Sequence, residues 1–376
     1  MELSSYKLRE LIKIKNGKDH KNLNEGKYPV LGSGGVMRYV NSFLYDKPSV
    51  LLPRKGSLNN IQYADKPFWT VDTLYYTEVN EKKVNAYYLY NYLKLLDLSN
   101  LDSGTGVPSM TFDSYYNLSV KLPALEIQNK ISKVLYRIDE KISINRQINR
   151  NLEELAKQIY DYWFVQFDFP NEEEKPYKSS GGKMVYNELL KREIPVGWEV
   201  KQLKDSIEIK RGITITEKQT TSGTIKVVAA GLTYSYLHGE SNRLANCITV
   251  SGSGANAGFV NFWREPIFAS DCSTIQFDNI IDTILCYHTL KKQEKRFYQI
   301  SHKSAQPHIL PSDIGEIPML FPSNNIKKRI SPFFIETNKQ IAENSKELEQ
   351  LTVLRDSLLP LLMNGQVTLN SCLSHD

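Results

Sequence analysis

The most regular hydrophobic pattern in the chain lies in "EIQNKISKVLYRIDEKISINRQINRNLEELAKQIYDYWF", where Ile127, Ile131, Val134, Ile138, Ile148, Leu152, Leu155, Ile159 and Tyr162 follow mostly in steps of three and four. That spacing predicts a long helix with one apolar stripe that needs a partner helix to cover it. The partner is in the same chain. Ile127, Ile131, Ile142, Leu152 and Leu155 recur as Ile326, Ile330, Ile341, Leu351 and Leu354, each displaced by 199 positions. At 1.5 Å per residue each helix runs roughly 50 Å. The expected pairing positions are Ile131, Ile138, Asn145, Leu152, Leu155 and Ile159 on the first helix, and Ile330, Ile341, Asn344, Leu351, Leu354 and Leu358 on the second. Asn145 and Asn344 stand at matching positions, where a polar residue in a helical seam fixes register.

Upstream of each helix the pattern changes to short β-branched and aromatic runs broken by Gly, Pro, Asn and Asp, the grammar of strands joined by turns. The repeat continues through these blocks. Pro123 answers Pro322, Pro108 answers Pro307, Asp72 answers Asp271 and Pro67 answers Pro266, while Gly56 answers Gly254 at 198. One half is a diverged copy of the other. The expected architecture is α/β (mixed), with globular blocks at 1–122 and 198–322 and long helices at 123–165 and 323–363. A linker at 166–197, containing "FPNEEEKPYKSSGGKM", and a tail at 364–376 complete it. Antiparallel pairing of the helices as a coiled coil would make a pseudo-two-fold dumbbell, its rod spanning on the order of fifteen base pairs of duplex.

Composition sets limits on the chemistry. The 376 residues, 41% hydrophobic and 24% charged, suit two globular domains. Apolar runs fall short of the ~18 residues a membrane span needs, and "MELSSYKLRE" has charges where a signal peptide is apolar, so a cytoplasmic location is expected. Cys247, Cys272, Cys286 and Cys372 form no CxxC pair and no zinc-ligand spacing, which favours reduced, structural thiols. The net charge of +5 permits an anionic partner without requiring one.

Catalytic motifs do not emerge. "DKPFW", Asp65 to Trp69, departs from an amino-methyltransferase tetrapeptide at Lys66, and "DFPNEEEK", Asp168 to Lys175, places nuclease-like charges in the expected linker. No phosphate loop of the GxxxxGK(S/T) type occurs. His238, His302 and His308 join no nucleophile motif, and His288 reads as a structural histidine. "ITVSGSGANAGFV" resembles a cofactor loop until it is set against its repeat partner "VLLPRKGSLNNIQY". Gly252 then answers Arg54 and Ser253 answers Lys55, a divergence that a shared cofactor would not allow.

A pair of equivalent turns with different polar side chains suits a duplicated reader of two sequences. Arg54 and Lys55 can contact phosphate or guanine, Asn59, Asn60 and Asn256 can read adenine, and Ser57, Ser251 and Ser253 can contact either. Two further loop pairs match across the repeat. "DSGTGVPSM" and "SHKSAQPHI" contribute Thr105, Ser109, Lys303, Ser304, Gln306 and His308; "IKNGKDHK" and "IKRGITITEK" contribute Lys15, Lys18, Lys210, Arg211 and Thr214. Arg38 in "VLGSGGVMRYV" completes the candidate DNA-contacting set. A coiled-coil scaffold without DNA readout, or a methyltransferase with degenerate motifs, are the alternatives.

The chain closely resembles the specificity subunits of Type I restriction-modification systems over nearly its whole length. The residues that carry the resemblance are "KYPVLGSGGVMRYV", "PRKGSLNNIQY", "PFWTVDTLYY", "LPALEIQNKISKVLYRIDEKI", "YDYWFVQFDFP" and "MVYNELLKREIPVGWEVKQLKD". The start of the second helix, "FPSNNIKKRI", departs from the usual acidic residue and Gln. The resemblance implies a non-catalytic subunit whose two target-recognition domains each read half of a split, asymmetric site in double-stranded DNA. It implies no cofactor in this chain: S-adenosylmethionine belongs to two modification subunits docked on the helices, and ATP and Mg to the restriction subunits.

Overall fold

The computed structural model describes residues 2–98, 108–301 and 307–367. The chain divides into two compact units, Met1–Ile144 with Leu348–Asp376, and Asn145–Glu347.

In the first unit the strands are β1 (Ser4–Lys7), β2 (Ile12–Lys15), β3 (Glu25–Gly32), β4 (Gly35–Val40), β5 (Ser49–Pro53), β6 (Gln62–Ala64), β7 (Trp69–Thr70), β8 (Leu74–Val79) and β9 (Ser119–Leu122). Helices α1 (Ala86–Lys94) and α2 (Phe112–Tyr116) precede β9, and α3 (Leu125–Tyr160) follows it. Three sheets form, in the orders β2-β8-β5-β6, β4-β3-β7 and β1-β9. β5 is buried along its whole length because "SVLLP" is an unbroken run rather than an alternating one. Each of Val50, Leu51 and Leu52 contributes about 1.5–3 kcal/mol by leaving water. Asn85 starts α1 by accepting from the Tyr88 N–H at 2.9 Å, and Thr111 does the same for α2 through Ser114 at 3.2 Å. The core combines Leu8, Leu52, Leu89 and Tyr115 with Ile131 and Leu135 of α3, and with Leu359, Leu362 and Met363 from the end of the chain's last helix.

The second unit repeats this plan. Its strands are β10 (Met184–Asn187), β11 (Arg192–Pro195), β12 (Glu199–Gln202), β13 (Lys210–Arg211), β14 (Ile225–Val228), β15 (Tyr236–His238), β16 (Cys247–Ser251), β17 (Val260–Trp263), β18 (Ile267–Ala269), β19 (Cys272–Ile275) and β20 (Pro318–Phe321). The helices are α4 (Ile280–Lys292), α5 (Glu294–Ser301), α6 (Pro311–Gly315) and α7 (Asn324–Met363). Sheets β13-β19-β16-β17, β15-β14-β18 and β12-β20 match those of the first unit strand for strand. A parallel pairing recurs too: Val30 and Leu31 align with Trp69 and Thr70, as Lys226, Val227 and Val228 align with Ile267, Phe268 and Ala269.

The segment expected as a linker is packed rather than slack. β10 and β11 form a hairpin, and Phe167 and Phe169 are buried against Trp198, with Phe169 stacked on it at 5.1 Å. Its polar composition reflects exposed turns around an aromatic anchor.

Helix contacts occur inside each unit. In the first, Arg355 Nη1 donates to Asp139 Oδ1 at 2.9 Å. In the second, Asn145 Nδ2 donates to Glu347 Oε2 at 2.7 Å and Asn344 Nδ2 to Asn149 Oδ1 at 3.0 Å, so these segments run antiparallel. Ile131, Asn145, Ile330, Ile341 and Asn344 are buried, whereas Ile138, Leu152, Ile159, Leu351 and Leu358 are half-buried. Leu155 and Leu354, assigned to the seam from the heptad-like spacing, are exposed at 43% and 45%. Ala156 and Tyr160 are buried instead, as is Leu359. A helix of 3.6 residues per turn drifts about 20° per heptad from a 3.5 repeat, which carries the stripe one position onward.

Candidate nucleic-acid interface

The glycine turns are equivalent in geometry as well as in position. Gly56 and Gly254 both have positive φ, +88° and +73°, which only glycine adopts without strain. The Gly56 N–H donates to the Pro108 carbonyl at 3.0 Å, and the Gly254 N–H to the Pro307 carbonyl at 3.1 Å. Beside them Lys55 bridges to Ser109, and Ser253 to His308. Two candidate loops of each unit therefore lie together, although neither their sequence separation nor their side chains announce it.

The third loop reaches the same place through the segment that links β7 to β8, or β18 to β19. A Cβ on Gly17 would stand 2.0 Å from the Val71 carbonyl oxygen, and one on Gly212 would stand 1.9 Å from that of Ser270. Next in the chain come Asp72 and Asp271. The Thr73 carbonyl accepts from the Arg54 N–H at 2.9 Å, and Arg54 Nη1 points at the Asp72 carbonyl at 3.4 Å. In the second unit Ser253 Oγ donates to Asp271 Oδ2 in a short hydrogen bond, and the Gly252 N–H donates to the Asp271 carbonyl at 3.3 Å. Residues 70–73 and 269–272 are thus the joints on which the loops meet.

The candidate side chains divide into those facing solvent and those spent on the loops themselves. Lys18, Lys55, Ser57, Lys210, Arg211, Thr214 and His308 are exposed; Arg54, Ser109, Ser253 and Asn256 are half-buried. Lys15 is tied to Glu78 at 3.4 Å, and that hydrogen bond raises its ammonium above the usual value. Four candidates are engaged within the chain, two of them, Asn59 and Asn60, while still exposed. Ser251 is buried within β16, because the ladder pairs it with Cys272. Arg38 turns inward to the Leu23 carbonyl at 2.6 Å. Asn60 Nδ2 is taken up by the Ser33 carbonyl at 2.5 Å, and Asn59 accepts from the Leu98 N–H at 2.9 Å while pointing its amide at Asp97. These three brace neighbouring turns, since polar backbone at a loop needs partners. Thr105, Lys303, Ser304 and Gln306 lie outside the described residues.

The "ITVSGSGANAG" segment is a turn between antiparallel strands: the Ser251 N–H meets the Phe259 carbonyl at 3.0 Å, and the Gly258 N–H returns to the Ser251 carbonyl at 2.9 Å. A Cβ on Gly258 would stand 2.4 Å from the Cβ of Phe297, so this glycine serves close packing. Cys247, Cys272 and Cys286 are buried free thiols, and burial raises the first two to about 12. Among the described residues no group of three or more His, Cys, Asp and Glu is placed to hold a metal ion, and no helix is long and apolar enough to cross a membrane.

A duplicated mixed α/β block carrying equivalent polar loops defines a tandem recognition protein. The chain belongs to the family described as the type I restriction modification DNA specificity domain, whose model matches residues 2–154 and again 195–353. It is a specificity subunit, the non-catalytic class of type I restriction-modification component. It is 22% identical over 351 residues to the type I restriction enzyme MjaIX specificity subunit of Methanocaldococcus jannaschii, covering 86% of this chain and 78% of that one. It is 26% identical to the HindI specificity subunit of Haemophilus influenzae, covering 73% and 74%. The fold is that of the type I restriction-modification S subunit from M. genitalium, with a TM-score of 0.70, 18% identity and 96% of each chain covered.

Proposed function

We propose that each unit reads one half of a bipartite, asymmetric site in double-stranded DNA. In this reading the blocks 1–122 and 198–322 are the target-recognition domains, the helices 123–165 and 323–363 set the spacing between half-sites, and 166–197 joins the two halves. The observation that carries the proposal is the repeated joint: the same backbone presents Arg54 and Lys55 in one unit and Gly252 and Ser253 in the other. Conserved scaffolding with divergent hydrogen-bonding groups is what separate base readout requires, because base edges specify while phosphate contacts only position. The exposed cations Lys18, Lys55, Lys210 and Arg211 supply phosphate contacts.

The same proposal places two modification subunits and the restriction subunits on this chain. S-adenosylmethionine, ATP and Mg belong to those partners, which act on adenine methylation and on ATP-dependent translocation and cleavage. Exchanging residues 198–322 for the equivalent block of another specificity subunit, with its modification subunit co-expressed, tests the reading. Methylome sequencing should show one half of the methylated motif replaced and the other kept; a change in both halves, or in neither, would overturn it.

A further inference from the structure

The loops built on Gly56 and Gly254 share a backbone and oppose each other in hydrogen-bonding character. In the second unit Ser253 gives its only hydroxyl proton to Asp271 Oδ2. Its oxygen keeps two lone pairs and can still accept, because a hydroxyl has one proton to give. Gly252 leaves the other carboxylate oxygen uncovered: a Cβ there would stand 3.2 Å from Asp271 Oδ1. Asp271 is exposed and Ser253 half-buried, so this corner presents two groups that accept, with the exposed His308 beside them.

At positions 54 and 55, which answer Gly252 and Ser253, the first unit carries two donors instead, beside the equally exposed Asp72. Arg54 lies over the Tyr75 ring at 6.0 Å with Nη1 near the Asp72 carbonyl, which fixes the plane of its guanidinium, and Lys55 is exposed beside it. In the major groove guanine shows two acceptors, N7 and O6, whereas cytosine shows the N4 amino donor. Thymine offers the O4 acceptor and a methyl group, and adenine sets its N6 donor beside the N7 acceptor. A pair of acceptors takes the one free N4 proton of cytosine, which sets no lone pair against the other acceptor, and is repelled by the lone pairs of guanine and thymine. Adenine satisfies one acceptor and opposes the other.

We infer that Asp271, together with the Ser253 it orients, requires a cytosine at one position of the half-site read by the second unit, while Arg54 requires a guanine at the corresponding position of the other half-site. This rests on the two-reader function proposed above and adds the identity of the base. Neither Asp271 nor Asp72 carries a motif; their role comes from the joint between β18 and β19, or β7 and β8.

The test uses the full chain co-expressed with its modification subunit, with methylomes compared for the unaltered protein, Asp271→Asn and Ser253→Ala. The unaltered motif should contain a C·G pair in the half-site that changes on block exchange. Asp271→Asn replaces an acceptor with an amide donor and should leave the first half-site intact. At that single position the preference for cytosine over thymine should fall about ten-fold or more. Ser253→Ala should relax the same position to a smaller degree, and it decides the matter should Asp271→Asn fail to fold. A second half-site without a C·G pair, or an unchanged motif with Ser253→Ala and with any folded Asp271→Asn, would overturn the inference. Block exchange that alters both halves or neither defeats the two-reader function itself, whatever the point variants do.

Discussion

Arg355 meets Asp139 at 2.9 Å where α7 returns to the first unit, and Tyr87 donates its hydroxyl to the other carboxylate oxygen. Both ionic side chains are less than a third exposed. Arg355→Ala removes the charge-assisted hydrogen bond to Asp139, which keeps that from Tyr87, and the pairing of Arg355 with Asp356 at 2.7 Å. The expected cost is about 1–3 kcal/mol, read as a lower midpoint in urea unfolding. An unchanged midpoint would show that the pair contributes nothing net.

Gly17 and Gly212 have no room for a side chain, being pressed against the carbonyls of Val71 and Ser270. Gly17→Ala and Gly212→Ala should each cost about 1–3 kcal/mol or more through overpacking. Gly34, where a Cβ would meet nothing within 4 Å, is the control and should tolerate Ala within about 0.5 kcal/mol. Because both crowded positions also feed the candidate loops, the thermal shift should be accompanied by weaker DNA binding.

His288 is buried against Tyr160, stacked at 4.9 Å, and near Tyr287 and Phe334. Burial pushes its pKa down to about 4. Its folded value lies below the unfolded one near 6.5, so the unfolded chain binds the extra proton between those limits. Stability should therefore fall as pH drops from about 6.5 to about 4 and level off below, the histidine accounting for about 3 kcal/mol of the change. His288→Phe should flatten that part of the stability profile; an equal slope in both proteins would refute the assignment.

Leu155→Lys and Leu354→Lys should each change stability by no more than about 0.5 kcal/mol, since both side chains are already largely in water. Leu135→Lys, at a fully buried position of the first core, should unfold that unit. Thermal melts of the three variants separate the true buried stripe from the one implied by strict heptad spacing.

Arg54→Ala should relax or weaken recognition of one half-site by about 1–3 kcal/mol. A methylome with the motif and level unchanged would remove Arg54 from the reader.

The repeat was legible in the sequence because duplication preserves residues that hold backbone geometry: Gly56 and Gly254, Pro108 and Pro307 mark a turn that few other residues can make. The strands β5 and β16 were legible as short, largely β-branched and aliphatic runs. Less of the candidate site could be read, for two reasons. Polar loop residues such as Asn59, Asn60 and Arg38 satisfy backbone groups of neighbouring turns, and a linear sequence does not distinguish a brace from a reader. Asp72 and Asp271 appeared only as marks of register, since their importance depends on which loop the β7 to β8 joint touches. The seam at Leu155 and Leu354 was misplaced for a geometric reason, the drift between 3.5 and 3.6 residues per turn.

The composition of the first core has a consequence for how the chain is made. Leu8, Leu89 and Ile131 share that core with Leu359, Leu362 and Met363, whereas the second unit is one continuous run of sequence. During translation the second block can close as soon as its own residues have left the ribosome. The first block, synthesised earlier, waits with an unfinished apolar face until the last turns of α7 arrive. A stop codon just before Leu359 would therefore injure the domain farthest from it in sequence and spare the one beside it.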